Sequence, residues 1–383
     1  MVENNFVGGI RPPRFLAGPR NLSVMMLFSI VMLLSALLFP GKSVSQTVVS
    51  DEVMQQTYEK IKTPYKYGLV LIPEDDSKMF DSPSIFRVNQ KWYMTYIIFD
   101  GQGYETWLAE SKDLLTWETK GRIMSFTEDT WDANQKAGYI ALQDYEWGGS
   151  YEVQKYNDKF WMTYLGGESP GYEAGRLGIG IAWTNNLTKA REWKRLDEPV
   201  ISPVDPDARW YDEVTIYKSS VIWDKKKTLG HPFVMFYNAK GSKKSKGKTK
   251  AERIAMAVSD DMVNWERYGN APVIDHETGI SGDAVLTKID DLWVMFYFGA
   301  FWKPGAFDRF ACSYDLVNWT KWTGEDLISP SEEYDSQYAH KPFVIHYNGV
   351  VYHYYCAVDK QGNRGIALAT SVDLGKSELT FSN

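Results

Sequence analysis

Cysteine is scarce: Cys312 and Cys356 are the two in a chain of 383 residues. That excludes a disulfide framework, and their spacing has no zinc-site character. One bridge between them and two buried thiols are both open readings at this point. No P-loop, GxSxG elbow, HExxH pair or Rossmann glycine fingerprint occurs. Positive charge is in deficit. The formal net charge is −7, which argues against nucleic acid as a partner and against a basic membrane-binding surface. Between residues 65 and 383 no helix-like stretch of useful length interrupts a strand-like pattern.

One long apolar run is present, from Leu22 to Phe39, preceded by Arg11, Arg14 and Arg20. Ser43 and Ser45 follow at the spacing a signal peptidase reads. The pattern predicts a signal peptide over 1–45, cleaved after Ser45, and an exported protein that is periplasmic, extracellular or at the cell surface. The alternative is an uncleaved anchor, for which the run is barely long enough, and that would be the protein's sole contact with a membrane. No cysteine follows the run, so a lipoprotein is not expected. Residues 46–64 form a lead-in segment, and 65–383 the folded domain.

Repetition dominates the domain. The stretches "SKDLLTW" (111–117), "SDDMVNW" (259–265), "SYDLVNW" (313–319) and "SVDL" (371–374) are copies of one motif, with "TNNLTKAREW" (184–193) as a looser copy. Each is preceded by two strand-like apolar runs, in unit two "SYEVQKY" and "FWMTYLGG", separated by a polar turn such as Asn89-Gln90, Asn157-Asp158 or Asn348-Gly349. Five such antiparallel units predict an all-β, five-bladed β-propeller. The Asp-Leu of the motif reads as a tight turn, and its Trp as a structural ring between blades. Most of the 15 Trp and 24 Tyr are expected in the core, although aromatic-rich β-proteins also pack ring faces against sugar C–H groups.

In a propeller the innermost strands line a channel, and ligand sites open on the face carrying the loops into those strands and the loops joining strands two and three. The second set of loops is glycine-rich, and Tyr104, Tyr172, Trp302, Arg309 and Arg364 recur in it. The third of these loops carries six lysines from Lys240 to Lys250, read as a solvated hairpin tip. The residues leading into the inner strands include Asp81, then Glu146 and Glu152, then Asp212 and Glu213, then Asp283, then Asp335, His340 and Lys341. Converging acids suit displacement at a sugar acetal. That reaction needs one proton donor and one carboxylate that activates water or attacks directly.

Five strand-rich units, the "SxDLxxW" turns and acids leading into units one to three resemble the five-bladed propeller glycosidases. These comprise the arabinanase and xylosidase family 43, the invertase-like family 32, the anhydrogalactosidase family 117 and the mannoside phosphorylase-like family 130. The resemblance implies a glycoside hydrolase acting on an oligo- or polysaccharide. It implies Asp81 as base or nucleophile and Glu213 as general acid, with Asp212 as a rival. At the modulating position Glu146 or Glu152 replaces that group's aspartate. Substrate contacts are expected from His340, Lys341, Lys218, Asp283, Arg309, Trp302, Tyr104 and Asp335. Aligning blades sets His340-Lys341-Pro342 opposite Asp81-Ser82-Pro83, with Lys218 near Lys341, so the mouth would suit a phosphate or uronate, or those cations would pair with neighbouring acids. No cofactor is required. The spacing indicates no metal, although a structural ion in the channel is compatible with the fold. A phosphorylase or transglycosylase and a non-catalytic glycan-binding propeller are the alternatives. Export favours hydrolysis, because a sugar phosphate made outside the cell is lost to metabolism.

Overall fold

The computed structural model describes residues 48–75, 77–189, 193–242 and 251–382. The expected signal peptide and most of the lysine-rich loop lie outside them. A helix, α1 (Asp51–Ile61), comes first among the described residues. Ser50 caps it by accepting the Val53 amide, and Asp51 and Glu52 sit in its first turn. Tyr58 stacks on Trp322 with centroids 5.0 Å apart, fastening the helix to the outside of the fourth blade.

Apart from a 3-10 turn at Glu333–Asp335, the other regular structure among the described residues is β, in five four-stranded units. Blade one is β2 (Met79–Val88), β3 (Lys91–Phe99), β4 (Tyr104–Ser111) and β5 (Trp117–Met124). Blade two is β6 (Gln135–Ile140), β7 (Phe160–Gly167), β8 (Gly178–Thr184) and β9 (Lys194–Arg195). Blade three is β10 (Thr215–Trp223), β11 (Phe233–Lys240), β12 (Glu252–Ser259) and β13 (Trp265–Tyr268). Blade four is β14 (Ile280–Ile289), β15 (Leu292–Ala300), β16 (Ala306–Ser313) and β17 (Thr320–Lys321). Blade five is β18 (Tyr338–Tyr347), β19 (Val350–Val358) and β20 (Arg364–Thr370), and its outer strand is β1 (Tyr65–Leu71), which pairs antiparallel with β20. The ring is thus closed by joining the two ends of the domain.

Local chemistry accounts for the repeat. In the copies at 111–117 and 259–265 the serine hydroxyl accepts the amides of the Asp and of the Leu or Met. The Asp carboxylate then accepts the next two amides. The apolar residue between takes a positive φ: 67° at Leu114, 68° at Met262 and 68° at Leu316. The tryptophans seal seams. Trp117 meets Tyr354 of blade five edge-on, and Trp319 meets Phe236 of blade three, each at 5.9 Å. Rings of this size contribute roughly 2–3 kcal/mol each when buried. The turns Asn89-Gln90 and Asn157-Asp158 have positive φ at both residues, the backbone twist a two-residue hairpin requires. Cys312 and Cys356 are buried, free thiols.

Four inner strands share an irregularity. Pairing skips from Asp81 to Ser84, from Ile216 to Ser219, from Gly282 to Val285 and from His340 to Phe343. Two residues there oppose one on the partner strand, a β-bulge. Ser82, Asp283 and Lys341, at equivalent places, all have positive φ. The alignment of His340-Lys341-Pro342 with Asp81-Ser82-Pro83 therefore holds residue for residue. Blade two departs. Its inner strand is the bulge-free β6, not the expected "SYEVQKY". Residues 141–156 instead cross the far end of the channel. There Asp144 and Val153 pair with backbone at Glu152 and Arg87, Trp147 pairs with Lys288, and the Tyr151 hydroxyl accepts the His346 amide.

Candidate active site

All five inner strands contribute to a cavity of about 220 Å³ at the end of the channel opposite that crossing segment. The bulges turn polar side chains into it. The deepest is Asp81. Its Oδ1 accepts the Ser82 amide at 2.7 Å, and its Oδ2 accepts from Lys341 Nζ and Arg364 Nη1, both at 2.8 Å. Burial alone would raise its pKa, but the two cations outweigh it and hold the carboxyl well below the usual range. The same contacts keep Lys341 and Arg364 firmly charged in spite of their burial. His340 is the reverse case. Burial, then Lys341 and Arg364, push it down to about 3, so it is a neutral ring whose Nδ1 lies 3.2 Å from the Cys356 carbonyl oxygen.

Asp283 is hydrogen-bonded by neutral partners and faces one cation. Asn238 Nδ2 donates to its Oδ1 at 2.8 Å, the Asn238 side-chain carbonyl accepts its amide at 2.7 Å, and Ser82 Oγ donates to Oδ2. Lys218 Nζ stands 3.5 Å from Oδ2 and 4.9 Å over the Tyr139 ring. Burial lowers its pKa.

Two further carboxylates reach the cavity, Glu173 from a loop joining strands two and three and Glu252 from the start of a third strand. Glu173 accepts from the Tyr104 hydroxyl at 3.3 Å and lies 3.9 Å from Lys341 Nζ. Burial raises its pKa, and Asp81 and Asp283 add to this. Glu252, the first residue of β12, pairs with Lys240 at 3.2 Å and shares the cavity wall with Tyr217. Burial, with repulsion from Glu173 and Asp283, overrides Lys240 and lifts Glu252 from 4.5 to about 7. One carboxyl that keeps its proton near neutrality beside another in an enclosed site is the arrangement of acid–base chemistry.

No protein-family model matches the sequence, and no curated protein does. Among solved structures, one described as "Glycoside hydrolase" is 51% identical, with 88% of this chain and 99% of that one covered and a TM-score of 0.85. The chain thus belongs to the glycoside hydrolases. A structure described as a complex of BT0996 with RGII matches with the same identity, coverage and TM-score. A family 117 glycoside hydrolase from the marine bacterium Zobellia galactanivorans shares the fold at 15% identity and TM-score 0.60, covering 82% of this chain and 92% of that one. The glycoside hydrolase described here is a glycan-processing enzyme built on the five-bladed β-propeller.

In this hydrolase six of the expected site residues line the cavity: Asp81, Tyr104, Lys218, Asp283, His340 and Lys341. Seven do not. Glu213 is exposed and accepts from Ser242 Oγ. Asp212 is buried outside the cavity, bound to Tyr237 and to Arg267 at 2.6 Å. Glu146 and Glu152 belong to the crossing segment at the far end, where Glu152 accepts the Asn89 and Gln90 amides. Asp335 binds Lys66 and the Tyr355 hydroxyl behind blade five. Arg309 pairs with Asp326 at 3.4 Å. Trp302 donates to the Ile280 carbonyl and stacks on His276, behind the cavity wall. Glu173, Glu252 and Asn238 line the cavity as well, outside the sequence-based expectation. The two acids lie in "GGESPGYEAGR" and "KTKAER", between strands two and three of their blades and not in segments leading into inner strands. Among the described residues no group of three or more His, Cys, Asp or Glu is placed to hold a metal ion.

Proposed function

We propose that this enzyme hydrolyses a terminal glycosidic bond, with Glu252 as general acid and Glu173 as the second carboxylate. The observation that carries this reading is the pair itself. Both face one cavity and both have raised pKa values, Glu252 to about 7. Glu252 retains a proton to give to the leaving oxygen. Glu173, beside Lys341 and Tyr104, is the carboxylate that ionises, to activate water or to attack the anomeric carbon. Asp81 is a poor base in this setting. Two cations and the Ser82 amide occupy its lone pairs, so its part is to orient Lys341 and Arg364 toward the sugar. Asp283, Asn238 and Ser82 offer acceptors and donors for sugar hydroxyls.

The volume supports removal of single units. A cavity of about 220 Å³ has room for a sugar ring, and residues 141–156 cross the channel beyond it. The cations of the cavity already face carboxylates, which favours water over phosphate as the acceptor. The relative's complex with RGII makes that glycan the first substrate to try, and an exported location would give access to it. Incubation with RGII-derived oligosaccharide, with and without inorganic phosphate, tests the reading. One monosaccharide released from each terminus, at a rate independent of phosphate, is expected. A sugar phosphate as product, or a glycan that binds without shortening, would sink it.

A further inference from the structure

Phe301 is held in a costly place. It follows the end of β15 with φ of 63°, the left-handed region that a bulky side chain adopts only when its surroundings compel it. It is also 64% exposed, more than Tyr65 at 46% or Tyr172 at 39%. Tyr151 is the other aromatic residue among the described ones with positive φ, and it is buried, with its hydroxyl hydrogen-bonded. Phe301 has neither return. Its ring lies at the rim of the cavity, meeting Tyr338 edge-on at 6.3 Å.

The backbone that presents it is fixed from behind. Trp302 Nε1 donates to the Ile280 carbonyl at 2.9 Å, and its indole stacks on His276 at 4.1 Å and meets Phe307 at 4.7 Å. Gly279 passes so close that a Cβ there would fall 2.2 Å from the Ala300 carbonyl oxygen and 2.9 Å from the Phe301 carbonyl carbon. The Gly279 carbonyl in turn accepts the Glu252 amide at 2.9 Å. The ring and the acid are therefore referenced to one short, rigid piece of backbone.

That link says which sugar the ring would meet. The leaving oxygen must lie at Glu252, and the sugar attached to it continues outward past the rim. We propose that Phe301 is a specificity-determining platform on which the leaving-side sugar packs its C–H face. The inference rests on the assignment of Glu252 as acid. The strain and exposure are then the cost of a binding surface, not of a fold.

Phe301→Gly tests this, because glycine relaxes the positive φ while removing the ring. Two substrates separate the roles: RGII-derived oligosaccharide, and the glycosyl fluoride of the monosaccharide the wild type releases from it, which has no leaving-side sugar. The variant should show KM for the oligosaccharide raised roughly 3–10-fold, the scale of one aromatic contact. Turnover of the fluoride and the melting temperature should not fall, and Phe301→Trp should restore the oligosaccharide KM. Equal KM values for variant and wild type on the oligosaccharide would overturn the platform, as would parallel losses on both substrates or a lowered melting temperature. A wild type inactive on both substrates would overturn the functional reading itself, and the platform with it.

Discussion

Four carboxylates share one cavity, yet they fall into two pairs. Asp81 and Asp283 grow from bulges in inner strands, and their oxygens are taken up by Lys341, Arg364, Ser82 and Asn238. Glu173 stands on a loop and Glu252 at the first position of β12, with fewer and longer contacts, and both have raised pKa values. The chemical group is the same in all four. What differs is how much of its hydrogen-bonding capacity the protein has already filled. A filled carboxylate organises its neighbours, and an unfilled one is left to exchange a proton.

Variants can break this contrast at either side. Glu252→Gln and Glu173→Gln should each lower turnover of RGII-derived oligosaccharide at least ~100-fold, without lowering the melting temperature. In the wild type, activity should fall as pH rises through about 7, where Glu252 loses its proton. The sign for stability is the same. The folded protein holds a proton between 4.5 and about 7 that the unfolded one has released, so Glu252 makes stability decline with rising pH across that window. Denaturant titrations of Glu252→Gln should lack that decline. Asp81→Asn acts first on the fold. It leaves Lys341 and Arg364 buried together without their counter-charge, at a cost of roughly 3 kcal/mol by urea unfolding. The smallest effect belongs to Glu213→Gln. Exposed and outside the cavity, it should leave both rate and stability within about twofold and ~0.5 kcal/mol, and a large loss would reinstate Glu213 in the mechanism.

Features written in local chemistry were legible in the sequence. The Ser-Asp turns, the two-residue hairpins and the spacing of apolar runs expose the blades, because each depends on residues a few places apart. Asp81, His340 and Lys341 could be placed because blade alignment carries the bulge along. The inner strand of blade two is hidden because "SYEVQKY" imitates an alternating strand, while β6 has no acid to mark it. Glu213 lies outside the cavity for a similar reason. Asp212 accepts the Arg209 amide and turns the backbone, so its neighbour points toward Ser242 and not into the channel. Glu252 was invisible because its direction is set by ladder pairing with Lys240, across a loop whose length hides the register.

The closure of blade five by β1 has a consequence for how the site comes into being. Asp81 and Arg364 are 283 positions apart in sequence, and Tyr65 and Thr370 are 305 apart. A growing polypeptide exposes Asp81 early, as an ordinary solvated acid, and supplies Arg364 only when almost all of the domain has been made. Loop closure over such separations comes late in folding. The ion cluster at the floor of the cavity is thus also the clasp of the ring, and no partial polypeptide, however many blades it has completed, possesses a diminished version of the active site.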